Sequence, residues 1–172
     1  YGREHWSAKH AQCWACLQRH CHMITITDGP YAGQTVEEPE YELYAAWGPL
    51  IGNTDTAECL MLANQCTRLG LEGNEAGFLV SMVMELYEKE TISSRDTEGL
   101  ELRWGNAKAV ATLLERIARR EGKFANMLAE GTARAAEALG PEAMACGIYA
   151  KKGHSPRGHD HRSMWREMFD TA

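Results

Sequence analysis

Apolar residues recur every three or four positions in four stretches of the chain, and each stretch is bounded by residues that start or stop helices. "DTAECLMLANQCTRLG" lies behind the cap cluster Asn53, Thr54 and Asp55 and stops at Gly70, where a left-handed helix end favours glycine. "NEAGFLVSMVMELYEKE" places Phe78, Leu79, Met82, Val83, Leu86 and Tyr87 over so wide a face that most of this helix must be covered on several sides. "NAKAVATLLERIARREG" carries Val110, Leu113, Leu114 and Ile117 on one stripe, with Glu115 and Arg119 one turn apart on the wet side. "KFANMLAEGTARAAEALG" reads as one more helix ending at Gly140-Pro141, although Gly131 inside it costs about 1 kcal/mol relative to alanine. Ahead of these, "MITIT" alternates as a short strand and ends at the turn "DGPYAG". Beyond Pro141, "KKGHSPRGHDHRSMW" reads as a glycine- and histidine-rich functional loop followed by a short final helix.

These elements predict a mainly α protein, a multi-helix domain with a cysteine-rich metal loop and a short strand near its N-terminus. No repeat or low-complexity linker divides it. One connected unit is expected, with a loop and "PEYE" region over 1–53, a helical core over 54–140, and the glycine- and histidine-rich loop with the final helix over 141–172.

A length of 172 residues suits such a unit, and a formal charge of −6 with no basic block argues against a nucleic-acid partner. No apolar run reaches the length of a membrane span, and "YGREHWSAKH" is neither a signal peptide nor an initiator context. The expectation is a soluble, cytoplasmic chain excised from something longer.

The six cysteines are distributed unevenly. Cys59, Cys66 and Cys146 fall on helical segments, whereas Cys13, Cys16 and Cys21 crowd into "CWACLQRHCH". A CxxC pair offers two thiolates to one ion from a single turn, and a third nearby nearly completes a tetrahedron. Metal binding in a reducing compartment is therefore favoured over a disulfide framework or a redox pair, which would not need Cys21. Haem attachment is excluded because Leu17, not histidine, follows the second cysteine. Zinc held by Cys13, Cys16, Cys21 and His20 or His22 remains open beside an iron–sulfur cluster.

Downstream motifs bear on that choice. "EEPEYELYAAWGPLIGNTD", "NQCTRLGLEGNEAG", "ELYEKE", "LRWGNAKAVATLLERIARREG", "LAEGTARAAEALG" and "RGHDHR" follow one another in order. Together they resemble the tungsten-containing aldehyde ferredoxin oxidoreductase family, especially the branch that includes the class II benzoyl-CoA reductase catalytic subunit. The resemblance covers nearly the whole chain. It implies a segment from the helical second domain and the start of the third, around a tungsten-bis-pyranopterin (or molybdenum) cofactor beside a [4Fe-4S] cluster.

By the same resemblance, Cys13 and Cys16 match the first two cluster ligands. Cys21 stands one residue beyond the spacing of the third, where His20 falls, and a loop expansion is a smaller change than exchanging thiolate for imidazole. The family's fourth ligand lies beyond the end of this chain. In the pterin-contacting motif DxxGL plus an acid, "TRLGLEG" supplies Gly70, Leu71 and Glu72, with Thr67 in place of the aspartate. Read without the resemblance, that stretch is a helix stop with a surface glutamate. In "PEYE", Glu42 matches a glutamate close to tungsten, with Tyr41 beside it, where a carboxylate can take a proton from attacking water. A solvated acidic face around a tyrosine is the plainer account.

His159 and His161 in "GHDHR" offer proton donors or Zn ligands on one side of an extended strand, or a hydrated loop. Arg157 and Arg162 can bind a cofactor phosphate or a carboxylate. The implied chemistry is oxidation of an aldehyde to a carboxylate with ferredoxin as acceptor, or low-potential reduction of an aryl-CoA ring. Implied partners are the remaining domains of the parent enzyme, ferredoxin or an electron-transfer subunit, and a small aldehyde or acyl-CoA substrate. The isolated segment is expected to be inactive. Two rivals stand beside this reading: a Zn-stabilised helical module without catalysis, and an interaction domain docking through the apolar face of residues 78–87.

Overall fold

The computed structural model describes residues 6–10 and 22–158. Three strands, β1 (Trp6–His10), β2 (His22–Ile26) and β3 (Thr35–Glu37), form an antiparallel meander in chain order. Strand β2 is the "MITIT" segment shifted by one residue. The "DGPYAG" turn closes it onto β3, with Gly33 N–H donating to the Ile26 carbonyl at 2.8 Å. Ile24 and Val36 pair across the sheet and bury against Leu60, fixing the sheet to the second helix. Cys13, Cys16, Cys21 and His20 lie outside the described residues, as do His159, His161 and Arg162.

Helix α1 (Tyr41–Trp47) runs into a 3₁₀ turn at Pro49–Ile51, and α2 (Thr56–Arg68) follows. The Asp55 carboxylate accepts the Glu58 N–H at 2.9 Å, satisfying one of the free donors of the first turn of α2. Helix α3 (Gly73–Glu88) forms the axis of the domain. Ten of its sixteen residues are buried, under α1, α2 and two later helices. The apolar face of 78–87 is thus filled from within the chain and is not free to dock a partner, which removes the interaction-domain reading based on it.

Helix α4 (Ala107–Arg119) buries Val110, Leu113, Leu114 and Ile117 and leaves the Glu115–Arg119 pair at 2.9 Å on its outer side. The segment 123–140 departs from the sequence reading. It is not one helix but two, α5 (Lys123–Leu128) and α6 (Thr132–Leu139), separated at Gly131, and a further helix α7 (Pro141–Cys146) begins at the expected stop. Gly131 takes φ +92°, a region that other residues avoid, and a Cβ there would stand 3.1 Å from the Glu75 carboxylate. Pro141 starts α7 because the first helical position needs no N–H donor.

Candidate functional site

The turn between α2 and α3 is built by the residues of "TRLGLEG". Leu71 N–H donates to the Cys66 carbonyl and Gly70 N–H to the Thr67 carbonyl, both at 3.1 Å, with Gly70 at φ +71°. This is a Schellman ending, which satisfies the Cys66 and Thr67 carbonyls and favours glycine at Gly70. Glu72 then caps α3: one carboxylate oxygen accepts the Asn74 N–H (3.2 Å) and side-chain amide (3.0 Å), the other the Glu75 N–H (2.6 Å). Thr67 is exposed and donates its hydroxyl to the Ala63 carbonyl at 3.1 Å.

Two glycines bring "PEYE" to this corner. A Cβ at Gly73 would stand 2.9 Å from Leu43 Cγ, and one at Gly77 would stand 2.7 Å from Ala46 Cβ. Only bare backbone on α3 lets α1 lie so close. A recess of about 180 Å³ is lined by Glu38, Pro39, Glu40 and Leu43 on one wall and Thr67 on the other. Tyr41 is 59% exposed at the start of α1, and Glu42 is half-buried in its first turn.

The third motif arrives from the far end of the chain. Gly158 N–H donates to Asn74 Oδ1 at 3.1 Å, and a Cβ at Gly158 would lie 3.9 Å from both the Glu42 carbonyl oxygen and Ala45 Cβ. Ahead of it, Ser155 N–H donates to Glu75 Oε2 at 2.6 Å, and its hydroxyl bonds the Thr132 hydroxyl at 3.1 Å. Glu75 Oε1 accepts the Thr132 N–H at 2.5 Å. Burial alone would raise the Glu75 pKa, but the N–H and O–H donors of Thr132 and Ser155 outweigh it and hold the carboxyl below its ordinary value. Glu75 and Asn74 are the residues that sequence reasoning missed. Glu75 looks like an ordinary first-turn acid, and its partners lie 57 and 80 residues away.

The structure therefore gathers Tyr41 and Glu42, Thr67 to Glu72, and the segment leading into "GHDHR" at one end of α3. His22 is held with its Nδ1 2.6 Å from Glu38 Oε2, which ties the residue after Cys21 to the "PEYE" wall. Among the described residues no three histidine, cysteine or acidic side chains are grouped to hold a metal ion. Cys59 and Cys66 are core residues, donating to the Trp47 and Leu71 carbonyls. Burial pushes their thiols up to about 11 and about 12, so neither presents a thiolate.

A pterin ring presents N–H groups that need acceptors, and the corner has them. Glu72 is exposed, and its three accepted bonds leave one of roughly four lone-pair positions of a carboxylate. Nothing lies within 4 Å of the Cβ position at Gly70, so a flat ligand can approach its backbone.

A family model described as aldehyde ferredoxin oxidoreductase, domains 2 and 3, matches residues 2–170. A tungsten-containing aldehyde ferredoxin oxidoreductase of Pyrococcus furiosus is 38% identical over 132 residues, covering 75% of this chain and 22% of that protein. The WOR-like subunit of an aliphatic sulfonate oxidoreductase from the same organism is 34% identical over 131 residues, covering 76% and 21%. The chain thus spans about a fifth of the length of these relatives. Among solved structures, the active site complex BamBC of benzoyl coenzyme A reductase with 1,5-dienoyl-CoA superposes with a TM-score of 0.69 at 25% identity, over 87% of this chain and 22% of that one. No helix among the described residues is long and apolar enough to cross a membrane.

Proposed function

Because this chain belongs to the aldehyde ferredoxin oxidoreductase family, matching its domains 2 and 3, we propose that it forms the helical wall of a tungsten pyranopterin site in a larger oxidoreductase. The observation that carries the reading is the meeting of three motifs at one end of α3, each contributed by a different part of the chain. Thr67, Gly70, Leu71 and Glu72 would hold the pterin, with the Glu72 carboxylate and the exposed backbone of the corner accepting its N–H groups. Cys13, Cys16 and Cys21 would ligate a [4Fe-4S] cluster, and His22, clamped by Glu38, would fix the end of that loop.

The bound cofactor supplies two-electron chemistry that no side chain can perform. Glu42 manages the proton. At the first turn of α1, it can accept a proton from water as aldehyde becomes carboxylate, or return one when an aryl-CoA ring is reduced. Tyr41, His159 and His161 are the further proton-bearing groups of the reading. A cluster held by Cys13, Cys16 and Cys21 would supply the path for electrons, with ferredoxin or a second subunit as partner. The relatives named above support both reactions: one is an aldehyde ferredoxin oxidoreductase, and the solved complex is a benzoyl coenzyme A reductase with 1,5-dienoyl-CoA.

The test is anaerobic purification of the full-length enzyme and measurement of tungsten, iron and acid-labile sulfide. Cys16→Ser should lose iron, sulfide and the broad absorbance at about 400 nm expected of thiolate-bound clusters. Glu42→Gln should keep tungsten while losing about 10²-fold or more in kcat. One zinc per chain, with no colour and no tungsten, would overturn the reading in favour of the Zn module.

A further inference from the structure

Two stretches singled out in the sequence, "ELYEKE" and the opening of "LRWGNAKAVATLLERIARREG", take no part in the proposed chemistry. The structure brings them together at the far end of the 16-residue helix α3, about 24 Å from the Glu72 corner. They line a cleft of about 590 Å³, well within the range of a binding site. One wall is the end of α3, where Thr91 N–H donates to the Leu86 carbonyl at 3.0 Å and Glu90 N–H to the Tyr87 carbonyl at 3.1 Å. Glu90 stands at φ +58°, the left-handed position that glycine usually fills, so this helix end carries a carboxylate that the turn itself does not need. The other wall is Arg103 and Trp104. Gly105 N–H donates to the Ile51 carbonyl at 2.7 Å and pins the backbone beside Trp104, which is 38% exposed.

Charge pairing leaves two carboxylates over. Around the cleft, Glu85 holds Lys89 at 2.5 Å, Glu142 accepts the Thr91 hydroxyl at 2.8 Å, and Asp96 accepts the Ser93 N–H and hydroxyl at 2.8 and 2.6 Å. Glu88 and Glu90 are exposed and have no hydrogen-bond or ion-pair partner among the described residues. Both sit at the carbonyl end of α3, whose dipole adds negative potential. A cation is what this end lacks. The cleft already shows which kind fits, because Arg103 lies over the Tyr87 ring with its guanidinium carbon 5.8 Å from the centroid. Arg103 makes no ion pair with Glu88 or Glu90 and reaches Glu101 only at 4.0 Å, with both side chains mostly exposed. The face of Tyr87 is thereby taken. Trp104 offers a second aromatic surface, and no cation lies over it among the described residues.

We propose that this cleft docks an arginine side chain of a partner protein, its guanidinium over Trp104 and its N–H donors on the Glu88 and Glu90 carboxylates. Arginine is favoured over lysine because its planar fork stacks on an indole and bonds a carboxylate through two parallel N–H groups. Tryptophan and arginine are also the residues that most often anchor protein interfaces. The inference goes beyond the oxidoreductase reading and does not depend on it, since the cleft lies at the opposite end of α3 from the 67–72 corner.

The experiment is a fluorescence anisotropy titration of the full-length enzyme with labelled glycine-arginine, glycine-lysine and glycine-citrulline peptides of equal length. It is run at about 0.15 M salt, where exposed charges are screened beyond roughly 8 Å. It is repeated with Glu88→Gln/Glu90→Gln, with Trp104→Leu, and with the control Glu121→Gln/Glu137→Gln, which removes the same charge from exposed positions outside the cleft. The arginine peptide should bind about tenfold or more tightly than either other peptide, and both cleft variants should lose about tenfold or more while the control does not. Thermal melting accompanies each variant. Glu88 and Glu90 are exposed and unpaired, so their double variant keeps its fold and carries the test even where Trp104→Leu does not. No binding by the wild-type enzyme, equal binding of the lysine or citrulline peptide, unchanged affinity in the Glu88/Glu90 double variant, or an equal loss in the control would each overturn the proposal. Tungsten content and redox activity are read on the same samples and should not change, so a failed docking site and a failed oxidoreductase reading give different results.

Discussion

Helices α2, α3 and α4 each begin at a side chain that caps its own N-terminus, Asp55, Glu72 and Asn106 respectively, whereas α5 and α6 begin at glycines. The second pair borrow their caps. Glu98 accepts the Lys123 N–H at 2.8 Å from 25 residues away, and Glu75 accepts the Thr132 N–H from 57 residues away. The glycines are what admit these visitors, since a Cβ at Gly122 would stand only 2.0 Å from Glu98 Oε2. A helix start written in neighbouring residues is a local fact. One completed by a remote carboxylate exists only once the domain has closed.

The largest expected effect comes from removing the remote carboxylate nearest the site. Glu75→Ala leaves two backbone N–H groups of a partly buried junction without acceptors and should cost about 3 kcal/mol in chemical denaturation. A loss below about 1 kcal/mol would show that water replaces the carboxylate and that the borrowed cap is decorative. The same group gives a pH signature. Its folded pKa lies below the ordinary value of 4.5, so its stabilisation is full above that pH and is lost as the pH falls through the folded value. Melting temperatures of wild type and Glu75→Gln should therefore be furthest apart near neutrality and converge below about pH 4.5. A constant gap would assign the effect to packing.

The comparison sharpens with a matched pair. Asp55→Ala removes a local cap and should cost about 1 kcal/mol, confined to α2. Glu98→Ala removes an exposed borrowed cap of similar size, about 1 kcal/mol, but hydrogen exchange should rise in α5, distant in sequence from the substitution. Exchange that rises only around Glu98 would break the distinction. The smallest effect belongs to the outer ion pair of α4, where Arg119→Ala should change stability by about 0.3–0.5 kcal/mol and less in high salt.

This contrast also explains what could be read before the structure. The spans of α2, α3 and α4 were legible because periodicity and cap residues agree there, and Gly70 announced its own left-handed turn. The break at Gly131 was not. Alanine-rich flanks on both sides have high helix propensity, and the carboxylate that occupies the gap belongs to α3. For the site, the order of motifs pointed to the residues 41–42 and 67–72, whose segments lie at the same end of α3. Glu75 and Asn74 carry no local pattern, because their meaning lies in partners brought together by folding. Cys13, Cys16 and Cys21 and the histidines at 159 and 161 fall outside the described residues.

Borrowed caps also impose an order in time. An N-terminus whose acceptor must travel from 57 residues away cannot gain that stabilisation until the intervening loop has closed, and loop closure is an entropic cost met in the folding transition state. Helices α2 to α4 can begin to wind on local information, while α5 waits on the segment that carries Glu98 and α6 on α3. The segment leading to Gly158, held through the same carboxylate at Ser155, is then among the last parts to assemble and one of the first lost when the domain opens.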